Sequence, residues 1–323
     1  MTKEDLKIVF FGTPDFAVES LRAIVDNGFN VVAVVTATDK VAGRGHKVLC
    51  SPVKTFAMSR DIPVLQPEKL KDGEFIDALR SLEADLFVVI AFRMLPEAVW
   101  QMPPLGTFNL HASLLPKYRG AAPINRAVMN GETKTGVTTF FLSHEIDTGD
   151  IIDREEVEIS DEDDAGSVHD RLMKVGAELT LKTINGIVDG NLATVSQSKM
   201  ISEGMESCEA PKIFKDTCHI DWSWPALRIH NHVRGLSPYP GAWSELRSTT
   251  SAPTEFKIFK TKLTDTACGE GIPGRVIIEK NRMFVCCGDN RLEILELQAA
   301  GKKRMSADAY LRGSRLVNPY FEK

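Results

Sequence analysis

The sequence lacks any apolar run approaching the roughly 20 residues that a membrane-spanning helix needs, so no membrane is expected among its partners. Its opening residues, MTKEDLKIVFFG, lack the basic, then apolar, then small-residue order of a signal peptide, which makes the cytoplasm the expected location. Cysteine is sparse. Cys50, Cys208, Cys218, Cys268, Cys286 and Cys287 form no CxxC pair, so neither a disulfide framework nor a zinc site is expected, and reduced, mostly buried thiols are. Internal repeats and low-complexity segments are absent. FGTP, near the start, has only one of the glycines of a GxGxxG phosphate loop, which argues against a dinucleotide site.

What is present suits a globular chain with a full core: 43% apolar residues over 323 positions, a length that favours two domains. The net charge of −5 conceals an asymmetry, because residues 1–205 carry 21 Lys and Arg against 30 Asp and Glu, whereas residues 206–323 carry 18 against 14. A basic second half hints at a polyanionic partner such as nucleic acid.

The first half alternates strands and helices. KIVFF, VVAVVTA and DLFVVIAF are near-continuous apolar runs separated by helical segments, one of them from about Phe16 to Asp26. Strands of that kind are buried on both faces, as in a doubly wound, mostly parallel, Rossmann-like α/β sheet. Val168, Leu172, Val175 and Leu179 recur at helical spacing, so a long amphipathic helix is expected before Gly186 and Gly190; His169 beside that stripe reads as solvent-facing or capping. Residues 191–217 lose any sustained period and read as a linker between a domain over 1–190 and another over 218–323. The second domain holds one helix-like stretch, WPALRIHNHVRGL, followed by the runs EFKIFKTKL, GRVIIEK, MFVCCG and LEILELQ, so a small antiparallel, OB-like β-barrel is expected. His230 and His232, two apart on a helix, point in different directions and read as structural.

The stretch FNLHASLLPKYRGAAPINRAV, residues 108–128, raises the functional question. On a strand, Phe108 and Leu110 face one way while Asn109 and His111 share the other face, at the end of a sheet where α/β proteins bind ligands. Asp147 follows in the turn HEIDTGDII, between the apolar runs TGVTTFFL and DIIDREEVEI. By themselves Asn109 and His111 read as structural polar residues capping a loop rather than as a site, while Asp147 is equally consistent with a turn-forming Asx residue. If they converge, an amide, an imidazole and a carboxylate without an evident Ser or Cys nucleophile suit acyl transfer to an amine: Asn109 donates to an oxyanion, His111 adds a positive donor or carries a proton, and Asp147 holds the imidazole.

HASLLPKYRGAAPINRAV and ETKTGVTTFFLSHEIDTGDII resemble the signature of the tetrahydrofolate-dependent formyltransferases. FGTPDFAVESL, AGRGHKVLCSPVK, HNHVRGLSPYPGAW and GKKRMSADAYLRG extend the resemblance over nearly the whole chain, second domain included, toward the members of this family that act on charged tRNA. The resemblance implies transfer of a formyl group from N10-formyltetrahydrofolate to the α-amine of methionine on initiator methionyl-tRNA, by direct attack and without a metal. It implies Asn109, His111 and Asp147 as the catalytic trio, and Ser113, Leu114, Leu115 and Pro116 as a folate-contacting turn. The backbone of Ala91, Phe92 and Arg93 would lie by the pterin, and AFRML departs there from the aromatic-then-glycine of many relatives. A monomer is expected.

Lys40, Arg44, His46 and Lys47 punctuate a glycine-containing loop that reads as a solvated surface segment; by resemblance it enters the tRNA acceptor end, with Arg44 the matching arginine. Lys302, Lys303 and Arg304, with the lysines of FKIFKTKL, supply phosphate-neutralising charge, although a solvated face explains them equally well. Lys260 and Lys262 share a strand face there with Ile258. Three other readings stay open: a formyltransferase acting on an amino sugar nucleotide or glycinamide ribotide, a formyl-folate hydrolase, and a non-catalytic RNA-binding α/β protein.

Overall fold

The computed structural model describes residues 2–42, 47–249, 251–269, 271–314 and 316–322. Two compact units emerge, one from Met1–Gly120, Lys134–Glu158 and His169–Ala210, the other from Ala121–Thr133, Ile159–Val168 and Pro211–Lys323. Among the described residues no helix is long and apolar enough to cross a membrane.

The first unit is built on β1 (Lys7–Gly12), β2 (Asn30–Val35), β3 (Val64–Leu65), β4 (Leu86–Ile90), β5 (Thr107–His111), β6 (Lys134–Phe141) and β7 (Ile151–Glu158). They lie in the order β7-β6-β5-β4-β1-β2-β3. β1 pairs in parallel with both β2 and β4, β2 with β3, and β4 with β5, while β6 and β7 run antiparallel at one edge. The expected mostly parallel sheet is therefore present. Ile8, Val9, Phe10 and Phe11 of β1 and every residue of β4 are buried, as a sheet covered on both faces requires. The chain leaves β1 toward β2 and β3, then returns to the other side of β1 at β4. That reversal opens a crevice at the carboxyl ends of β1 and β4, where ligands of such sheets bind.

The helices follow their local signals. Ser51 caps Pro52–Met58 by accepting from the Lys54 N–H, with Pro52 in the first position, where its missing N–H costs nothing. The amphipathic stripe forms the helix Ala165–Asp189 with Val168, Leu172 and Leu179 buried; His169 is half-buried, beside the Phe16 ring.

The segment read as a linker differs from that expectation. Residues up to Ala210 belong to the first unit and hold the helix Gln197–Ser202 and the strand Cys208–Glu209, which pairs in parallel with Lys117–Arg119. Residues 121–133 and 159–168, expected in the first domain, pack with the second unit instead. Asn125 donates to the Gly235 carbonyl, and the Arg234 guanidinium donates to the carbonyls of Ser160 and Asp163. Hydrophobic periodicity carries no trace of such distant partners.

In the second unit, β8 (Ala242–Ser248), β9 (Ser251–Ala267), β10 (Val276–Glu279), β11 (Arg282–Cys286), β12 (Asn290–Ala299) and β13 (Tyr320–Phe321) form an antiparallel sheet in the order β10-β11-β12-β9-β8-β13. Its two ends meet: the Val276 N–H donates to the Pro319 carbonyl and the Phe321 N–H to the Gly274 carbonyl, at 3.0 and 2.8 Å. The seam needs glycine, because Gly274 has φ +91° and a Cβ there would lie 2.3 Å from the Phe321 oxygen. The expected antiparallel barrel thus closes through a strand of only two residues. Trp222, Phe256 and Phe321 fill it, with Trp222 stacked on Phe321 at 5.1 Å and its indole N–H bonded to Ser244. The β9 alternation breaks at a bulge, so Ile258 and Phe259 are both buried, while Lys260 and Lys262 stay exposed without Ile258 beside them.

Candidate active site

β5 alternates as its sequence requires. Phe108 and Leu110 are buried on one face, and Asn109 and His111 share the other, at the carboxyl end of the sheet. Asn109 is half-buried, and among the described residues its side-chain amide has no hydrogen-bond partner. An uncommitted amide at a crevice mouth is a donor available to a ligand.

His111 is held on one side and faces a carboxylate on the other. Nε2 lies 2.8 Å from the Tyr118 carbonyl, which can only accept, so Nε2 carries a proton. Nδ1 faces Asp147 Oδ2 at 3.8 Å, too far for a hydrogen bond and near enough for strong attraction once the ring is charged. The sequence assigns the holding of the imidazole to Asp147. In the structure the Tyr118 carbonyl fixes the tautomer, and Asp147 stands opposite the nitrogen that can accept a proton.

The carboxylate is itself fixed. Asp147 Oδ2 accepts the Gly120 N–H at 2.9 Å, and Gly120 must be glycine: it has φ +122°, and a Cβ would lie 2.8 Å from the Ala210 carbonyl oxygen. Ala91, Tyr118 and Asp147 all hold positive φ, at 48°, 60° and 56°. Three such backbones around one crevice are what a functional site accumulates, each costing on the order of 1–3 kcal/mol.

The SLLP turn is rigid and faces inward more than its assigned role implies. Ser113 and Leu115 are fully buried, and Leu115 packs with Phe140, Ile151 and Met200. Thr138 donates to the Ser113 carbonyl and accepts the Leu115 N–H, Ser113 Oγ donates to the Lys117 carbonyl, and Arg154 donates to the Leu115 carbonyl. Leu114 is only half-buried and Pro116 is buried, so the turn offers a ligand mainly the Leu114 side chain and backbone.

Ala91 follows Ile90, which pairs with Leu110, so it stands one step from His111 across the sheet. Phe92 packs edge-on against Phe11 at 5.7 Å. Arg93, where the sequence departs from the family it resembles, donates to the carbonyls of Glu68 and Pro67 and so ties the loop after β4 to the loop after β3.

Lys40 is exposed on a short hairpin of Lys40–Ala42 with Lys47–Leu49; Arg44 and His46 lie outside the described residues, as does the Lys47 side chain. At the root of that hairpin Lys54 bridges Asp39 and Gln66, which holds the Asp39 carboxyl below its ordinary value. Lys302 and Lys303 are exposed in the second unit, whereas Arg304 is paired with Glu296 and lies over the Phe259 ring at 4.4 Å, so its charge is already compensated. His230 bonds Thr261, and burial pushes the His232 imidazole down to about 4, consistent with structural roles for both.

Sequence reasoning missed Tyr118, Arg119, Gly120 and Gln197. The signal for Gly120 was its glycine in a strand-to-loop junction; Gln197 stood in a stretch with no pattern at all.

The family model described as formyl transferase matches residues 6–184, and that described as formyl transferase, C-terminal domain, matches residues 212–315. The chain is 52% identical to the methionyl-tRNA formyltransferase of Bacteroides fragilis over 99% of its own length and 98% of that protein. It is 53% identical to the one of Parabacteroides distasonis and 45% identical to that of Porphyromonas gingivalis, in each case over 99% of both chains. Among solved structures, it resembles WlaRD, a sugar 3N-formyltransferase crystallised with dTDP and 5-N-formyl-THF, with a TM-score of 0.64 and 21% identity over 92% of this chain and 99% of that one.

Proposed function

The chain belongs to the formyl transferase family, and on that premise we propose that it moves the formyl group of N10-formyltetrahydrofolate onto the α-amine of methionine carried by initiator tRNA. The observation that carries the chemistry is the arrangement of the trio, in which Asn109 is uncommitted and His111 and Asp147 are each anchored on one side only. The acceptor follows from full-length relatives at 45–53% identity, all methionyl-tRNA formyltransferases; the likeness to a sugar formyltransferase at 21% supports the fold alone.

The neutral amine attacks the formyl carbon, and Asn109 donates to the oxyanion that develops, a contribution typically worth about 2–3 orders of magnitude. Because Nε2–H of His111 is bonded to Tyr118, Nδ1 takes the proton the amine loses. The imidazolium that forms lies opposite Asp147 and beside the oxyanion, which both favour its charge. As the intermediate collapses, Nδ1–H delivers that proton to N10, leaving the formylated amine and tetrahydrofolate. No covalent formyl-enzyme is required, and positioning supplies most of the remainder. Lys40, Arg44 and Lys47, with Lys302 and Lys303, are the proposed contacts to tRNA phosphates, and the turn at Leu114 with the backbone of Ala91 to Arg93 the proposed contacts to folate.

The test is formyl transfer from N10-formyltetrahydrofolate to charged initiator tRNA, charged elongator tRNA, a UDP-amino sugar and water, run side by side. Formylation of the initiator alone is expected. Turnover on the sugar or on water without turnover on tRNA overturns the acceptor assignment.

A further inference from the structure

We propose that Gln197 is a positioning residue for Asp147, an inference that rests on the catalytic reading of Asp147 given above. Gln197 is 1% exposed, although it stands in a polar, unpatterned stretch. Its Nε2 donates one hydrogen to the Asp147 carbonyl at 3.0 Å and the other to the Gly149 carbonyl at 2.8 Å. Its Oε1 accepts from Arg119 Nε at 3.0 Å and from Nη2 at 2.6 Å. The amide's two donors and both acceptor positions are thereby used. Its orientation is unambiguous as well, since a flipped amide would set its oxygen against two carbonyls and its NH2 against a guanidinium.

The consequence lies in where these bonds lead. Tyr118, Arg119 and Gly120 are consecutive, and each is tied to the trio by a different atom. The Tyr118 carbonyl takes His111 Nε2–H, the Gly120 N–H holds Asp147 Oδ2, and the Arg119 side chain holds Gln197, which holds the Asp147 backbone. Arg119 is anchored in turn by the Ala210 N–H on its carbonyl, at 2.6 Å. The distance from His111 Nδ1 to Asp147 Oδ2 is thus set by a ring of hydrogen bonds to which Gln197 contributes from outside the segments that carry His111, Tyr118–Gly120 and Asp147. Asp147 sits in the left-handed region, and the amide of Gln197 grips the carbonyls of Asp147 and Gly149, adding to the turn's own Ser143 and Thr148 hydrogen bonds. A buried amide that served stability alone would have no reason to end on the backbone of the catalytic carboxylate.

The experiment is a double-mutant cycle on the full-length enzyme with Gln197→Met, Asp147→Asn and the pair, read as single-turnover formylation of charged initiator tRNA and as KM for the folate donor. Gln197→Met lowers kcat by about 10- to 100-fold, as expected of a misplacement near 1 Å, and leaves the folate KM within about twofold. In the Asp147→Asn background the same substitution costs less than about threefold, because there is no longer a carboxylate to position. Gln197→Asn, which keeps the amide but cannot reach both sides, gives the same non-additivity and serves if Gln197→Met does not fold. Equal losses in both backgrounds, or a kcat unchanged in both Gln197 variants while Asp147→Asn is inactive, overturn the positioning role and leave the trio intact. Near-normal turnover of Asp147→Asn alone overturns the catalytic reading and this inference together.

Discussion

Gln197 in the first unit and Arg234 in the second perform the same task with different results. Each is a buried polar side chain that gathers carbonyls from a remote stretch of chain: Gln197 those of Asp147 and Gly149, Arg234 those of Ser160 and Asp163, with Asn231 completing its set. Burial pushes the Arg234 guanidinium below its ordinary value, and Asp161 and Asp163 oppose that. What differs is the far end. The turn gripped by Gln197 bears a carboxylate that faces an imidazole across a gap, whereas on the segment gripped by Arg234 the Asp163 carboxylate is spent on Ser160 and Ser167 and those of Asp161 and Glu162 are exposed to solvent. Burial and full hydrogen bonding therefore mark a brace, and only an unsatisfied group at its tip marks function.

The sharpest way to stress this contrast is at the tip itself. Asn109→Ala removes the uncommitted donor and is expected to lower turnover by at least about a hundredfold, near 3 kcal/mol of transition-state stabilisation, with the thermal unfolding midpoint unchanged. Near-normal turnover would remove Asn109 from the mechanism. Arg234→Met should give the opposite pattern: a stability loss of about 2–3 kcal/mol from carbonyls left without a partner, measured by urea unfolding, with kcat at saturating tRNA within about threefold. A large fall in kcat of the folded protein would mean that this brace, too, ends on a working group.

The smallest effect expected belongs to a buried histidine. His232 is buried against Trp224 with Nε2 unpartnered, and its imidazole is pushed down from 6.5 to about 4 mainly by burial, a hydrogen bond to the Cys218 backbone working the other way. Between those values the unfolded chain binds a proton that the folded one refuses, so this contribution is complete above about pH 6.5 and fades as pH falls. About 2 kcal/mol should be gone by pH 5. His232→Phe should flatten that part of the acid limb of a stability-against-pH curve; an unaltered acid limb would show that His232 does not titrate as its burial implies.

The parts legible in the sequence share one property, that neighbours along the chain determine them. KIVFF and LFVVI announce buried parallel strands by composition, and TFNLH announces the shared face of Asn109 and His111 by its period of two. What escaped depends on where the chain returns. Gln197 acquires meaning only beside Arg119, and the barrel closes through Tyr320–Phe321, too short to carry any period. The bulge that buries both Ile258 and Phe259 belongs to the pairing with β12, and nothing in FKIFKTKL alone signals it. Arg93, which looked like an anomaly of the folate pocket, turns out to fasten two loops together.

Ala91 and Asp147 hold left-handed backbones beside the crevice. An L-residue is disfavoured there by roughly 1–2 kcal/mol, and glycine is not. Any programme that selects thermally hardier variants will therefore favour glycine at both positions, and at Asp147 it will discard the carboxylate along with the strain. Robustness and turnover pull in opposite directions at this crevice, so a hardened descendant of this protein is best sought in the barrel and on the outer helices, with the loops after β4 and β6 left as they are.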